Sequence, residues 1–291
     1  METDVLRLIE NQMDEFSKGQ KTIARYMLQH YETAAYMTAS RLGAAVGVSE
    51  STVVRFADQL GFDGYPALQK SLQELIRARL TSLQRIEAAN FRIGDGSVPE
   101  KILTSDMEKI RYTLEHLDTA VFDATIATIL HAKRIYIMGV RSSSALASFL
   151  YFYFNMIFED VKLLQTTSRS EVFEQIFRAK QGDLFIGISF PRYSQRVVAA
   201  MQYAREHGAQ TLAITDNTLS PLIEFADYTL TAKSDMASFV DSLVAPLSLL
   251  NALIVAVTRQ KAEEVATVFS TLEGMWERFD VYEKKENDAE K

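Results

Sequence analysis

The stretch Asp183-Leu-Phe-Ile-Gly-Ile-Ser-Phe-Pro-Arg-Tyr-Ser-Gln-Arg-Val-Val198 decides the fold of the C-terminal two-thirds of this chain. Leu184 to Ile188 is a short continuous apolar run, the pattern of a strand covered on both faces. Ser189 to Ser194 then gathers two hydroxyls, a guanidinium and a phenol, and Ser194 is placed to cap the helix that follows. The first amide groups of a helix have no partners within it, so a strand feeding a helix through such residues suits an anion such as a phosphate ester. A plain capped βα turn has the same local signature, and the neighbouring segments must discriminate.

Working outward, apolar runs fall at Ile135–Met138, Val161–Leu164, Leu184–Ile188, Thr211–Ile214 and Tyr228–Leu230. Helical stretches lie between them at Ala145–Ile157, Val172–Ala179, Gln195–His207 and, shorter, near Pro221–Phe225. This alternation predicts an α/β fold, a five-stranded parallel sheet with helices on both faces. In a flavodoxin-like fold the strand order reverses between the first and third strands, and ligands bind beyond the carboxyl ends there. Gly139-Val-Arg-Ser-Ser-Ser144 and Ser189–Ser194 both open helices at that point. Arg141, Ser142, Ser143, Ser189, Arg192, Tyr193 and Ser194 would then share one crevice, with the guanidiniums offering charge-assisted bonds to an anion. Thr167, Ser168 and Glu171 follow the second strand and could line it too. Thr215 to Thr218 reads as an Asx turn. Val240 to Val257 reads as an apolar helix broken near Pro246, and Val265, Phe269, Leu272, Met275 and Trp276 form a second stripe.

Residues 1–79 are helical in pattern. Ile23, Tyr26, Met27 and Tyr31 recur at helix spacing. Thr38 is an N-cap for a short helix bearing Leu42 and Val46 that Gly47 ends; Ser49 caps a second helix burying Val53, Phe56, Ala57 and Leu60, ended by Gly61. Two short helices joined by Gly47-Val-Ser49 form a helix-turn-helix, with Gly43 at the close crossing and Val48 as the wedge. In that motif the start of the second helix enters the major groove, which puts Ser51, Thr52 and Arg55 toward DNA and Ser49 beside the backbone. Lys21, Arg25 and Arg41 are candidate phosphate contacts. A solvated face on which Arg55 pairs with Asp58 or Gln59 is the plain alternative.

Composition narrows the rest. A net charge of −7 gives no overall field for nucleic acid, yet residues 17–79 carry 8 basic against 5 acidic side chains, so DNA binding would rest on placed residues. Cys is absent, which removes disulfides and thiolate metal sites. No signal peptide or membrane span is apparent, and a cytoplasmic protein is expected. The histidines at 30, 116, 131 and 207 are not placed at the expected strand ends, and no acid–base pair or metal spacing stands out; no enzyme, no metal and no cofactor are expected.

Val48 to Tyr65, with Thr-Val-Val-Arg-Phe and Leu-Gly-Phe-Asp-Gly-Tyr, resembles the N-terminal domain of RpiR-type bacterial transcription regulators. The resemblance implies a sugar-isomerase-like (SIS) phosphosugar-binding domain after it. SIS domains are similar to Gly-x-Gly-x-Ser after strand one and Ser-x-Ser-Gly-x-Thr after strand three. Gly139, Arg141 and Ser143 fall on the first pattern, with Arg for the second glycine. Ser189, Pro191, Arg192 and Ser194 fall on the second, with Pro for the middle serine, Arg for glycine and Ser for threonine. The resemblance thus implies Ser143, Ser189 and Ser194 as effector contacts, and the two arginines a more anionic or differently seated ligand than a simple hexose phosphate. The expected organisation is a helix-turn-helix domain at 1–79, a linker at 80–99, a SIS-like domain at 100–282 and a disordered tail at 283–291. The expected function is a homodimeric or larger regulator of carbohydrate metabolism that binds a double-stranded DNA operator under phosphosugar control. A phosphosugar isomerase with an accessory DNA-binding or scaffold domain is the alternative.

Overall fold

The computed structural model describes residues 5–77, 81–93, 96–165, 168–235 and 237–282. Thr167 and the expected tail at 283–291 lie outside the described residues. The chain divides into two compact units, residues 1–107 with 235–242, and residues 108–234 with 243–291.

The first unit is helical: α1 (Val5–Asn11), α2 (Lys18–Gln29), α3 (Tyr31–Ala34), α4 (Ala39–Val46), α5 (Glu50–Gln59), α6 (Gly64–Arg77), α7 (Ser82–Ile93) and the start of α8 (Val98–Glu115). Ile9, Ile23, Met27, Leu42, Val53, Phe56, Leu68 and Leu72 form its sealed core. Ser17, Thr38 and Ser49 each accept a first-turn N–H of α2, α4 and α5. Gly47 ends α4 in the left-handed region at φ 73°. A Cβ on Gly43 would stand 2.8 Å from the Val48 carbonyl oxygen, so only glycine lets α4 and the turn approach. Helix α6 closes the unit with polar side chains. The Tyr65 hydroxyl donates to Met37 O at 2.9 Å, and the amides of Gln69 and Gln73 donate to Met37 O and Ala35 O at 2.7 Å each.

The stretch expected as a linker at 80–99 is helical over α7. A reciprocal capping box starts it: Gln84 N donates to Thr81 Oγ1 at 3.3 Å and Thr81 N to Gln84 Oε1 at 2.8 Å. Arg85, 1% exposed, forms an ion pair with Asp241 and donates to Phe239 O at 3.3 Å, while Ser242 Oγ donates to Asp106 Oδ1 at 2.6 Å. These contacts place residues 235–242 with the first unit.

The second unit continues α8 and adds α9 (Thr119–His131), β1 (Arg134–Gly139), α10 (Ser143–Ile157), β2 (Val161–Leu163), α11 (Arg169–Ile176), β3 (Asp183–Ile188), α12 (Gln195–Glu206), β4 (Gln210–Thr215), β5 (Tyr228–Thr231), α13 (Val244–Gln260) and α14 (Ala262–Arg278). All strand pairs are parallel, in the order β2-β1-β3-β4-β5. Alternate residues of β1 serve opposite faces: Ile135 and Ile137 pack with α9, α10 and α13, and Tyr136 and Met138 with α11 and α12. This is why the strands read as unbroken apolar runs.

The helix expected from Val240 begins only at Val244 and is not broken at Pro246. Pro246 sits in the first turn, where its missing N–H has no partner to lose. Among the described residues, no helix is long and apolar enough to cross a membrane.

Candidate functional sites

In the helix-turn-helix, Ser51 and Arg55 are exposed on the first two turns of α5. Ser49 Oγ, besides capping, lies 2.9 Å from Ser51 Oγ and 2.8 Å from Thr52 Oγ1, so the three hydroxyls form one polar knot at the helix start. Arg55 is not paired with Asp58 or Gln59 as the plain alternative had it. Its Nε donates to Ser51 O at 3.2 Å, and Gln59 Oε1 instead accepts from the Gln20 amide at 2.7 Å, tying α5 to α2. Arg25 and Arg41 are exposed on α2 and α4, and Lys21 is half-buried on α2.

In the second unit, β1 and β3 are neighbours with Gly139 paired to Ile188. The loops leaving these two ends carry Arg141, Ser142 and Ser143, and Ser189, Arg192, Tyr193 and Ser194. Of the expected lining residues, Ser168 and Glu171 follow β2 instead, Ser168 as the N-cap of α11 and Glu171 exposed on that helix. A Cβ on Gly139 would collide with the Ser143 carbonyl oxygen and lie 3.1 Å from Ala147 Cβ, so the first turn of α10 rests directly on the strand end.

Both helices that open here keep their first-turn amides uncapped by their own N-cap side chains. Ser142 and Ser194 stand at the N-caps of α10 and α12 and neither hydroxyl accepts a helix N–H. Elsewhere in the chain Ser17, Thr38, Ser49, Asp118 and Ser168 all do. The cap expected of Ser194 is therefore not made. Its N–H donates to Ser189 Oγ at 3.0 Å, which folds the loop back on the strand end. On the other loop Ser144 Oγ donates to Arg141 O at 2.6 Å. Ser189 and Ser143 are buried, 4% and 6% exposed.

Arg141 and Arg192 both occupy the left-handed region, at φ 57° and 65°. That conformation costs an L side chain on the order of 1 kcal/mol. Both guanidiniums are exposed.

Asp216, 6% exposed at the end of β4, accepts from the Tyr193 hydroxyl at 2.8 Å and from the Asn217 amide at 2.8 Å. The expected Asx turn exists, but Asn217 makes it, accepting from Leu219 N at 2.7 Å. Asp216 falls within the Thr215–Thr218 stretch read from the sequence, but its bond to Tyr193 was not expected. Its partner lies 23 residues away, and no local pattern signals it. Three of the four histidines, 116, 131 and 207, hold Nδ1 within 2.9 Å of the carbonyl four residues back in their own helices.

Comparison with known proteins matches residues 3–78 to the helix-turn-helix domain of the rpiR family and residues 128–256 to the SIS domain. The chain is 26% identical to the HTH-type transcriptional regulator HexR of Pseudomonas aeruginosa over 268 residues, 89% of this chain and 90% of that one. The structure of Vibrio vulnificus NanR complexed with ManNAc-6P shares its fold, with TM-score 0.56 and 21% identity over 92% of this chain and 97% of that one. The sugar isomerase domain of an RpiR transcription factor from Sphaerobacter thermophilus aligns at TM-score 0.58 and 27% identity, covering 60% of this chain and 97% of that domain.

Proposed function

The chain belongs to the RpiR family of transcription regulators, a helix-turn-helix domain followed by a SIS domain, and from that premise we propose that a phosphorylated sugar or related anionic metabolite, held between the ends of β1 and β3, controls its binding to operators of carbohydrate genes. The observation that carries the effector half is the pair of uncapped helix starts. Neither Ser142 nor Ser194 caps its helix; the Ser144, Ala145 and Val197 amides already donate to backbone carbonyls, while those of Ser143 and Gln195 donate to none among the described residues, beside paired strand ends. Two helix N-termini supply N–H donors and partial positive charge to one anion. Ser143 and Ser189 add hydroxyls, and Tyr193 is held by Asp216 at the rim.

On the DNA side, Ser51, Thr52 and Arg55 read base edges while Ser49, Lys21, Arg25 and Arg41 meet phosphates. A two-fold operator calls for two copies of the chain, working in the bacterial cytoplasm. Effector must bind the DNA-competent and incompetent states unequally to act at all. The chain has no catalytic role in this reading, in keeping with three imidazoles tied to carbonyls of their own helices.

The test is a gel shift against genomic fragments at low salt. Arg55→Ala should lower specific affinity by about 1–3 kcal/mol, and Lys21→Ala should weaken all fragments alike and reduce the salt slope by about one. A sugar phosphate should change the wild-type shift. A folded protein that retards no fragment specifically would sink the proposal, and turnover of a sugar phosphate would favour an isomerase.

A further inference from the structure

The crevice reading extends to the kind of ligand, and the extension rests on that reading. Among the described residues, three non-glycine residues have positive φ: Arg141, Arg192 and Asp280. Asp280 follows the last helix, whereas both arginines lie on the loops that leave the paired ends of β1 and β3. Glycine would occupy a left-handed position without penalty. An arginine there needs a compensation, and the chain itself supplies none. Among the described residues neither guanidinium has an ion-pair or hydrogen-bond partner, although the Arg141 carbonyl is engaged by Ser144.

A second observation points to a ligand. The Ser143 side chain opens α10 with 6% exposure, and its hydroxyl has no partner among the described residues. The crevice thus has two separate kinds of anion donor. Helix amides and buried hydroxyls form one, and a pair of outward guanidiniums forms the other. One phosphate is already satisfied by the first. Two guanidiniums, each able to grip a carboxylate or phosphate bidentately, fit a further anionic group.

We infer that Arg141 and Arg192 select a ligand with two anionic groups, a sugar-acid phosphate or a sugar bisphosphate, over a sugar monophosphate. They act as specificity determinants of the site.

The test uses the full chain and thermal shift with titration of two matched pairs, glucose 6-phosphate against 6-phosphogluconate and fructose 6-phosphate against fructose 1,6-bisphosphate. A ligand that binds only the native state raises its melting temperature according to its Kd. In at least one pair the doubly anionic member should bind tenfold or more tightly than its partner. Arg141→Gly and Arg192→Gly keep the backbone conformation and should each cut that preference to about threefold or less, by weakening the doubly anionic member more than its partner. Equal binding of both members in each pair, or a preference untouched by both substitutions, overturns the inference and leaves the crevice standing. Absence of a shift with all four probes overturns the inference together with the crevice.

Discussion

Gly139→Ala tests the geometry on which the effector site depends. The added Cβ would meet the Ser143 carbonyl oxygen in collision, its carbonyl carbon at 2.9 Å and Ala147 Cβ at 3.1 Å. Carbon atoms pack comfortably at roughly 3.5 Å or more, so the first turn of α10 has to withdraw by about half an ångström. The strand resists giving way instead, because Gly139 is paired to Ile188 of β3 and β1 is held by β2 over Ile135–Ile137. Overpacking of this kind costs about 1–3 kcal/mol. The smaller unfolded-state entropy of alanine returns about 0.4–1 kcal/mol. A net loss of about 1–2 kcal/mol is expected, set against a typical domain stability of roughly 5–15 kcal/mol.

The single tryptophan, Trp276, lies on α14 in the same unit, so its fluorescence reports unfolding of that unit. With a urea slope near 2 kcal/mol/M, the midpoint should fall by roughly 0.5–1 M. Gly187→Ala is the control. Its nearest neighbours are side-chain atoms, Val197 Cγ1 at 3.2 Å and Met201 Sδ at 3.3 Å, which can shift by tenths of an ångström. The Gly139 variant should also lose its thermal response to sugar phosphate, because Ser142 and Ser143 move with the helix start. A wild-type midpoint for Gly139→Ala, or a larger fall for Gly187→Ala, would refute the reasoning.

Two further outcomes concern the first unit. Asp241→Ala should cost about 3–5 kcal/mol, because it strands the Arg85 guanidinium at 1% exposure, whereas Arg85→Met with Asp241→Leu should cost much less; urea unfolding followed by helical circular dichroism separates the two. Burial pushes the Tyr65 phenol above its ordinary range. With its folded pKa raised, this group's contribution is complete below the unfolded value of about 10 and is lost as pH rises toward the folded one. Tyr65→Phe should cost about 1 kcal/mol at neutral pH through the bond to Met37 O and should flatten the stability loss above pH ~10. An unchanged alkaline limb would remove Tyr65 as its cause.

What could be read in advance divides by distance along the chain. The α4–α5 turn was legible because its determinants are local: Thr38 and Ser49 cap within three residues, Gly47 supplies the left-handed exit, and Gly43 lies five residues from the carbonyl it must avoid. The sheet was legible because each buried strand is a compact apolar run, and its alternation with helices restricts the connections. The pairs Tyr193–Asp216 and Arg85–Asp241 span 23 and 156 residues, and nothing local announces them. The expected Pro246 break failed for another reason. A proline interrupts a helix only beyond its first turn, and where that turn begins depends on the contacts that hold residues 235–242 elsewhere.

Arg141 and Arg192 combine both limits. Their residue type gave no hint of a left-handed backbone, since local preference would put glycine or asparagine there. Only their match to glycines in the SIS pattern marked the two positions. The structure adds that the backbone still takes the conformation glycine would take, at φ 57° and 65°, while the side chain has changed from nothing to a guanidinium. A conformation kept at an energetic cost on both flanks of one crevice is evidence about the side chains. Among the described residues the strain brings neither guanidinium a contact within the chain, and the proposed doubly anionic ligand would supply one.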